Sequence, residues 1–316
     1  MKHVFIIDPA AFKNQQWKMD GLLDSIGQYF RTQEKSNFST LFSHYPRDAI
    51  RLIQDQVNEA EELEEIRVYA IGGDDILFDC LNGITELPKI ELAIMPYGDT
   101  NHFIRSFGEG KAESFRDIPS LAEAPTITTD IIKVGNNHAI DGCTIGFSSA
   151  VAMKMKEAGS KSEGNLSKFL RSFLMFLNNL TSLFDREITT HHCKITIDDS
   201  DYSGNYGLIN IVNGPYFGRN KYALPGAMPD DGFLDVILFK SATPLLTSSA
   251  IRKYSRRKQL PSNCIRVQAK KIMIKSDKPM WIQTDSEYFM DTSITFEVVP
   301  GAVQIVAVNN LTYQRF

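Results

Sequence analysis

The sequence predicts an α/β domain with a parallel sheet, followed by a second, mainly antiparallel β domain. In the first third of the chain, short apolar segments alternate with segments of helical periodicity, the pattern of a parallel sheet covered by helices on both faces. From about residue 126, strand-like segments follow one another with period-two alternation and turn residues between them. These observations predict domains at residues 1–125 and 126–316, and they leave open a return of the C-terminal tail to the first domain.

Strand-like segments of the first domain are HVFIID (3–8), the start of NFSTLFSHYP (37–46), IRVYAI (66–71) and ELAIMPYG (91–98). Helix-like segments span 15–31 and 47–65, and the second carries an apolar stripe at helical spacing. Ligands of parallel sheets bind at the carboxyl ends of the strands. The loops after Ile7, Ile71 and Ile94 are therefore the first candidates for a binding site.

The strand-like segments of the second domain are TITTDIIKV, HAIDGCTIGF, CKITIDD, YGLINIVNG, GFLDVILF, CIRVQAKKIMIK, PMWIQTDSEYF, SITFEVV and AVQIVAV. One long segment of helical character, 166–184, interrupts them.

Composition bounds the function. The 316 residues are 43% hydrophobic and 23% charged, which is ordinary for a soluble globular protein. The net charge of −4 argues against a nucleic-acid partner, because dedicated nucleic-acid binders are usually basic. The four cysteines form no C-x-x-C pair, which favours reduced thiols in the cytoplasm over a zinc site. No stretch reaches the ~18 apolar residues of a membrane span, so we expect any membrane contact to be peripheral.

Two neighbouring loops of the first domain place glycine and polar residues at predicted helix starts. Gly72-Gly73-Asp74 follows a strand, and glycines there allow backbone amides to approach an anion at a helix N-terminus. The next strand ends in MPYGDTNHFI, where Asp99, Thr100 and Asn101 are candidates to cap a helix through Phe103. Each loop alone is equally well interpreted as a structural turn, and only their coincidence favours a ligand site.

Two further segments carry unusual chemistry. Residues 213–239 contain a long loop rich in Gly, Pro and Asp between two strands, and such loops are uncommon unless functional. WIQTDSEYFM (281–290) sets Asp285, Ser286 and Glu287 at a turn between strands. That turn is either an ordinary hairpin or the mount of a carboxylate that takes a proton from a substrate hydroxyl.

The order of these motifs resembles the diacylglycerol kinase catalytic-domain family, which includes bacterial lipid kinases and sphingosine-type kinases. The motifs are Gly-Gly-Asp, Pro-x-Gly-x-x-Asn, Asn-Gly-Pro-x-x-Gly, Pro-x-Ala-Met-x-Asp-Asp-Gly-x-Leu-Asp and Asp-x-Glu. The resemblance runs over nearly the whole chain. It implies a nucleotide-binding α/β domain, a C-terminal β-sandwich domain, and an active site in the cleft between them.

The resemblance also implies roles for individual residues. Glu287 would be the general base, and Asp74 would help to organise Mg²⁺. A second Mg²⁺ site would use Asp231 with backbone oxygens near Met228 and Phe233. Contacts with ATP are implied for the residues Asp8, Pro9, Ser43, Gly72, Gly73, Asp75, Gly98, Asp99, Thr100, Asn101 and Asp130.

Several positions depart from the family pattern, mostly on the phosphate side. They are Phe12 in place of glycine, Asp75-Ile76 in place of Gly-Thr, Asp99-Thr100 in place of Thr-Gly, His102 in place of aspartate, and Ser286 in place of glycine. A carboxylate ~4 Å from a phosphate charge costs about 4 kcal/mol at an effective dielectric near 20. Either a cation lies between these acids and the phosphates, or Asp75 turns away and caps its helix.

Three hypotheses follow. The first is an ATP- and Mg²⁺-dependent kinase that phosphorylates the hydroxyl of diacylglycerol or a similar lipid. The second is a degenerate kinase fold that serves as a binding or regulatory module, and the third is a soluble-substrate kinase similar to NAD kinases. A basic cluster, Arg252, Lys253, Arg256, Arg257 and Lys258, is a candidate contact with anionic membrane, and an exposed strand edge leaves a homodimer open.

Overall fold

The computed structural model describes residues 1–32, 37–60, 64–85, 87, 89–146, 149, 153, 191–216, 224, 226–240 and 262–315. The predicted helix at 166–184 and the basic cluster at 252–258 lie outside the described residues. Within the described ranges, none of the helices is long and apolar enough to cross a membrane.

Four parallel strands form the first part of the chain. The elements are β1 (Lys2–Ile7), a short 3-10 helix (Pro9–Phe12), α1 (Gln16–Thr32), β2 (Asn37–Phe42), α2 (Asp48–Asn58), β3 (Ile66–Gly72), α3 (Asp74–Ile84) and β4 (Ile90–Pro96). Their order in the sheet is β4-β3-β1-β2, and each neighbouring pair is parallel. β1 and β3 are buried along their whole length, which explains their nearly continuous apolar runs.

The parallel register brings three loops to one edge of the sheet. Ile7 of β1 is level with Ile71 of β3, and Gly72 is level with Pro96 of β4. The turns that follow these residues therefore lie side by side, although their sequences are far apart. This edge carries most of the residues predicted to contact a nucleotide.

The later strands are mainly antiparallel. Two 3-10 helices (Phe103–Phe107 and Ala112–Arg116) and α4 (Ile118–Glu123) precede β5 (Thr126–Val134), β6 (Asn137–Ala139) and β7 (Gly142–Gly146). Then follow β8 (His191–Ile197), β9 (Ser200–Asp201), β10 (Gly204–Val212), β11 (Leu234–Lys240), β12 (Cys264–Ala269), β13 (Lys271–Thr284), β14 (Glu287–Val306) and a 3-10 turn (Val308–Asn310). All pairings among β5–β14 are antiparallel in the described residues, whereas β14 pairs in parallel with β4.

Several predicted strand boundaries were wrong. CIRVQAKKIMIK is divided between β12 and β13, and β13 continues through the segment PMWIQT with a register shift between Lys275 and Met280. SITFEVV and AVQIVAV belong to one strand, β14, which has an irregularity between Val299 and Val303. Turn residues such as Gly301 (φ +60°) therefore bend a long strand here without ending it.

The N-terminal part and the C-terminal part of the chain each contain a main hydrophobic cluster. Strands near the boundary contribute residues to both clusters. Ile131 of β5 belongs to the first cluster, while its neighbour Ile132 belongs to the second, because adjacent strand residues face opposite sides. The end of β14 and the residues beyond it join the first cluster through Ile305, Val308 and Tyr313. The C-terminal segment thus packs on the N-terminal part of the chain.

Candidate active site

Gly72 and Gly73 join β3 to α3 in a turn that leaves no room for side chains. Gly72 has φ +152°, and a Cβ there would lie 2.9 Å from Ile76 Cγ2 and 3.0 Å from Asp8 Cβ. Gly73 is the N-cap residue of α3. The glycine pair therefore brings the start of α3 close against the loop that follows β1.

The loop after β4 packs directly on this glycine turn. A Cβ at Gly98 would lie 2.4 Å from Cα of Gly73, a distance that only glycine avoids. The amide of Gly98 donates to the carbonyl oxygen of Gly72 (2.8 Å), and the amide of Asp74 donates to that of Thr100 (3.1 Å). The two loops form one unit, and these two amides are bonded within it.

The predicted helix cap at Asp99, Thr100 and Asn101 was wrong. A 3-10 helix, Phe103–Phe107, follows instead, and no side chain caps it. Nδ2 of Asn101 donates to the carbonyl oxygen of Gly98 (2.8 Å), so this amide closes the loop, and Asp99 is exposed. The Asn101 amide thus forms its hydrogen bond within the loop, and it does not cap a helix.

Asp75 does not cap α3, because the cap position is Gly73 and Asp75 lies exposed in the first turn. Its charge is close enough to raise the pKa of Asp8, although burial is the larger cause of that shift. It also contributes to the raised pKa of Asp79 on the same helix. The interpretation of Asp75 as a helix cap was therefore wrong, and its charge adds to the negative charge at this edge of the sheet.

The loop after β1 is ordered by its own side chains. Asp8 accepts from the amide of Ala10 (2.8 Å) and caps the short helix that Pro9 begins. Phe12 is buried, and its ring lies 5.1 Å from that of Tyr97 between centroids. The ring of Phe12 is thus turned into the core and away from the loop surface. Among the other predicted contacts, Ser43 is buried just beyond β2.

Asp74, His102 and Asp141 form a compact group beside these loops. The amide of His102 donates to Asp74 Oδ1 (2.9 Å), and His102 Nδ1 lies 2.5 Å from Asp74 Oδ2. One potential ligand atom from each of the three side chains lies within 4.8 Å of the others. Asp141 is 3% exposed, and burial, together with the charges of Asp285 and Asp74, raises its pKa well above the usual range.

Asp285 links this group to the β13–β14 hairpin. Its carboxylate accepts from the amides of Ile140 (2.7 Å) and Gly142 (2.9 Å), and more weakly from that of Asp141 (3.2 Å). Burial is the main cause that raises the pKa of Asp285 to about 6, against the lowering effect of these amides. Asp285 therefore fixes the backbone that carries Asp141.

Glu287, the predicted general base, lies two residues further along the hairpin and is held by two partners. Arg47 Nη1 donates to Glu287 Oε1, and Asn137 Nδ2 donates to Oε2 (2.8 Å). Arg47 also donates from Nη2 to Asn137 Oδ1 and from its backbone amide to Asp79 (2.6 Å). The carboxylate of Glu287 is therefore paired with the guanidinium of Arg47.

Asp130 has partners that make it a structural residue in this arrangement. It is 4% exposed, and its two carboxylate oxygens accept from the amides of Gly232 and Gly301, both at 2.7 Å. Its own amide donates to the carbonyl oxygen of Pro229 (2.7 Å). The predicted contact of Asp130 with a nucleotide stays a prediction.

Asp231, Met228 and Phe233 lie in the loop before β11, as the sequence motif predicts. Asp231 accepts from the amide of Phe233 (2.9 Å) and from Gln268 Nε2 (3.3 Å). Met228 packs partly buried against the first hydrophobic cluster, whereas Phe233 is exposed beneath Lys270. The Mg²⁺ site implied here also stays a prediction.

Comparison with known proteins gives the family. Residues 2–134 match the model of the diacylglycerol kinase catalytic domain, and residues 157–307 match that of the YegS C-terminal NAD kinase beta sandwich-like domain. Residues 2–134 belong to the diacylglycerol kinase catalytic-domain family. The family resemblance is thereby confirmed, together with the C-terminal sandwich-like domain that it implies.

Individual relatives agree with this assignment. A protein of Staphylococcus aureus strain Newman named "Putative lipid kinase" is 25% identical over 247 residues, which cover 77% of this chain and 78% of that protein. A second protein of the same species, from the strain bovine RF122 / ET3-1, is also named as a putative lipid kinase and matches with the same identity and coverage. The crystal structure of a diacylglycerol kinase from Bacillus anthracis matches with a TM-score of 0.69 at 21% identity and covers 98% of each chain. This likeness shows a shared fold.

The sequence motifs did not single out Asp141, Arg47 or Asn137 as site residues. Asp141 follows a strand-like stretch and precedes Gly142, whereas Asp74 follows the glycine pair that drew attention to it. Arg47 and Asn137 carry no local signal, because their partners lie far away in sequence: Glu287 is 240 residues from Arg47 and 150 from Asn137. Only the fold brings them together.

Proposed function

We propose that this protein is a lipid kinase that transfers a phosphoryl group from ATP to the hydroxyl of diacylglycerol or a lipid of similar chemistry. One observation carries the proposal beyond family membership. Asp74 in the glycine turn lies with His102 and Asp141 in a group whose ligand atoms are within 4.8 Å of one another, and the amide of Asp141 donates to Asp285, two residues from Glu287. This arrangement supports a common site for the predicted phosphate loop and the predicted base.

In this mechanism Glu287 accepts the proton of the lipid hydroxyl as its oxygen attacks the γ-phosphoryl group. The loops at Gly72–Asp74 and Gly98–Asn101 hold the nucleotide. Glu287 can act as a base only after Arg47 has moved away, because the guanidinium occupies one of its oxygens. Arg47 is then free to pair with phosphate, for which its charge and planar shape are suited.

A divalent cation fits the residues at this edge. Asp74 and Asp141 offer carboxylate oxygens, and one buried oxygen of Asp141 lacks a hydrogen-bond partner among the described residues. Bound there, an ion would neutralise part of the negative charge that phosphates would meet from Asp75 and Asp99. Asp231 is the candidate residue for the separate Mg²⁺ site that the family implies.

One set of observations favours a second candidate, a kinase fold that binds a partner or regulates without catalysis. The amides of Asp74 and Gly98 already donate within the loops, Glu287 is paired with Arg47, and Asp75 adds charge. If these features persist in solution, ATP will bind poorly.

Calorimetry with a non-hydrolysable ATP analogue, with and without Mg²⁺ or Mn²⁺, separates the two candidates. We expect metal-dependent binding. An absence of binding at millimolar nucleotide under every metal condition would reject the kinase and favour the binding module.

Phosphorylation of diacylglycerol in phosphatidylglycerol-containing vesicles tests the base. We expect Glu287→Gln to lower the rate by about 10²- to 10⁴-fold, the usual contribution of a general base. Glu297→Gln is the matched control, because Glu297 lies on the same strand, β14, and pairs with Lys271. A wild-type rate for Glu287→Gln would reject its role, and phosphorylation of NAD in place of the lipid would point to a soluble-substrate kinase.

A further inference from the structure

We propose that Asp74, His102 and Asp141 bind a divalent first-row transition-metal ion, such as Mn²⁺ or Zn²⁺, in preference to Mg²⁺. The site is defined by these three side chains and requires no nucleotide. It deepens the proposed function, since the ion would stand between the acids of the glycine turn and the phosphates, but the binding of the ion does not depend on kinase activity.

The three side chains are already gathered at nearly the spacing that a metal ion needs. Their potential ligand atoms lie within 4.8 Å of one another. Metal–ligand bonds of about 2.0–2.2 Å hold the ligand atoms of one ion roughly 3 to 4 Å apart. Small side-chain rotations would therefore complete the site, without movement of the strands.

Backbone contacts position the carboxylate of Asp74 and the main chain of Asp141. The amide of His102 donates to Asp74 Oδ1, which directs Oδ2 of the same carboxylate towards the imidazole. The Asp141 backbone is fixed from both sides, because its amide donates to Asp285 and its carbonyl oxygen accepts from the amide of Asn213 (2.9 Å). The arrangement is thus preorganised by groups outside the ligand set.

An independent observation indicates a missing ligand. Oδ1 of Asp141 is fully buried and has no hydrogen-bond partner among the described residues, in a side chain that is 3% exposed overall. A buried polar atom without a partner is costly, and such atoms in native proteins usually have an ion or ordered water nearby. A cation held with Asp74 and His102 would satisfy this oxygen.

The imidazole decides which class of ion is preferred. Mg²⁺ favours oxygen ligands and retains water, whereas imidazole suits Zn²⁺ and other first-row transition ions. His102 Nδ1 lies 2.5 Å from Asp74 Oδ2, so the imidazole already faces the carboxylate with which it would share the ion.

The test is direct metal binding to the full-length, chelator-treated protein without nucleotide. We expect calorimetry to show one site for Zn²⁺, electron paramagnetic resonance to show the same site for Mn²⁺, and Mg²⁺ to bind at least tenfold more weakly. His102→Ala and Asp141→Asn should each weaken Mn²⁺ and Zn²⁺ binding at least tenfold. His102→Asp replaces the imidazole with an oxygen ligand. This variant should therefore show a smaller difference between its affinity for Mn²⁺ or Zn²⁺ and its affinity for Mg²⁺.

Two control variants locate the site. His192→Ala removes an exposed histidine of β8 that pairs with Asn205, and Asp24→Asn removes an exposed carboxylate of α1. Neither should change Mn²⁺ affinity. Thermal unfolding with and without Mn²⁺ checks that each variant is folded, and the ion should raise the Tm of the wild type but not that of Asp141→Asn.

Three results would overturn the proposal. They are equal affinity for Mn²⁺ and Mg²⁺ in the wild type, undiminished Mn²⁺ binding in folded His102→Ala, and undiminished Mn²⁺ binding in folded Asp141→Asn. Metal binding without ATP binding would leave this site standing while rejecting the kinase. ATP binding that depends on Mg²⁺, in a protein that binds neither Mn²⁺ nor Zn²⁺ without nucleotide, would leave the kinase standing and reject this site.

Discussion

Acidic residues that look alike in the sequence have different surroundings in the fold. Asp74 contacts His102 and turns towards Asp141, whereas its neighbour Asp75 is exposed. Asp79, one turn further along α3, is buried and accepts from the amide of Arg47. The chemistry of each carboxylate depends on its partners and its burial, which residue type alone does not specify.

Asp79 predicts a specific pH dependence of stability. Burial raises its pKa from 3.8 to about 6 in the folded protein. The protonated form therefore contributes stability that is fully present below about pH 4 and is lost as the pH rises through 6. Asp79→Asn keeps an oxygen to accept from Arg47 but carries no charge, so it should be more stable than the wild type by about 1–2 kcal/mol at pH 7.5.

Urea unfolding between pH 4 and 7.5 checks this prediction. The advantage of Asp79→Asn should shrink as the pH falls from 6 to 4. Asp24→Asn, an exposed position in α1, corrects for the general loss of one negative charge. An advantage for Asp79→Asn that does not change with pH would show that the buried charge is not its cause.

At the scale of elements, a single side chain joins three segments of the second part of the chain. Asp130 of β5 accepts from Gly232 in the loop before β11 and from Gly301 at the bend of β14. β5 and β14 lie side by side, with a register irregularity between Val299 and Val303 where Gly301 bends the strand. The carboxylate thus stabilises both the bend and the loop that carries Asp231.

Asp130→Ala should therefore destabilise the protein by about 2–4 kcal/mol, because two amides lose a buried, charged acceptor. Asp117→Ala is the control, since Asp117 caps the exposed start of α4 by accepting from Ser120 and should cost only about 1 kcal/mol. Chemical unfolding measures both. A loss no greater for Asp130→Ala than for Asp117→Ala would contradict the structural role.

For the whole molecule, the last residues tie the C-terminal part to the N-terminal part. β14 pairs in parallel with β4 through Gln304 and Ile305. Beyond it, Tyr313 is buried against Phe103 and Phe107, and its hydroxyl contacts Thr129 Oγ1. The candidate active site depends on this closure, because Glu287 begins the same strand.

Tyr313→Ala should cost about 3–5 kcal/mol, the usual effect of removing a buried aromatic ring. Tyr313→Phe keeps the ring and loses only the hydroxyl contact, so it should cost about 1 kcal/mol. Urea unfolding curves give both values. Equal and small losses in the two variants would mean that the tail contributes little to the stability of the fold.

The sequence by itself determined the classes of element and the family. Apolar runs marked β1, β3 and β4, because strands buried on both faces are apolar along their length. Apolar stripes at helical spacing marked α1 and α2, because each helix buries one face. The glycines also had a local cause, since the turn at Gly72 and the contact of Gly98 with Gly73 exclude a side chain. The order of motifs then indicated the kinase family, which the family models confirm.

Only the tertiary structure decided which residues meet. The merging of predicted strands into β13 and β14 depends on pairing partners that a local window does not contain. The pairing of Glu287 with Arg47 and the approach of Asp141 to Asp74 join residues that are far apart in sequence. Electrostatic and hydrogen-bonding energies depend on distance in space and on burial, so the sequence could supply the acids of the site, but not their partners.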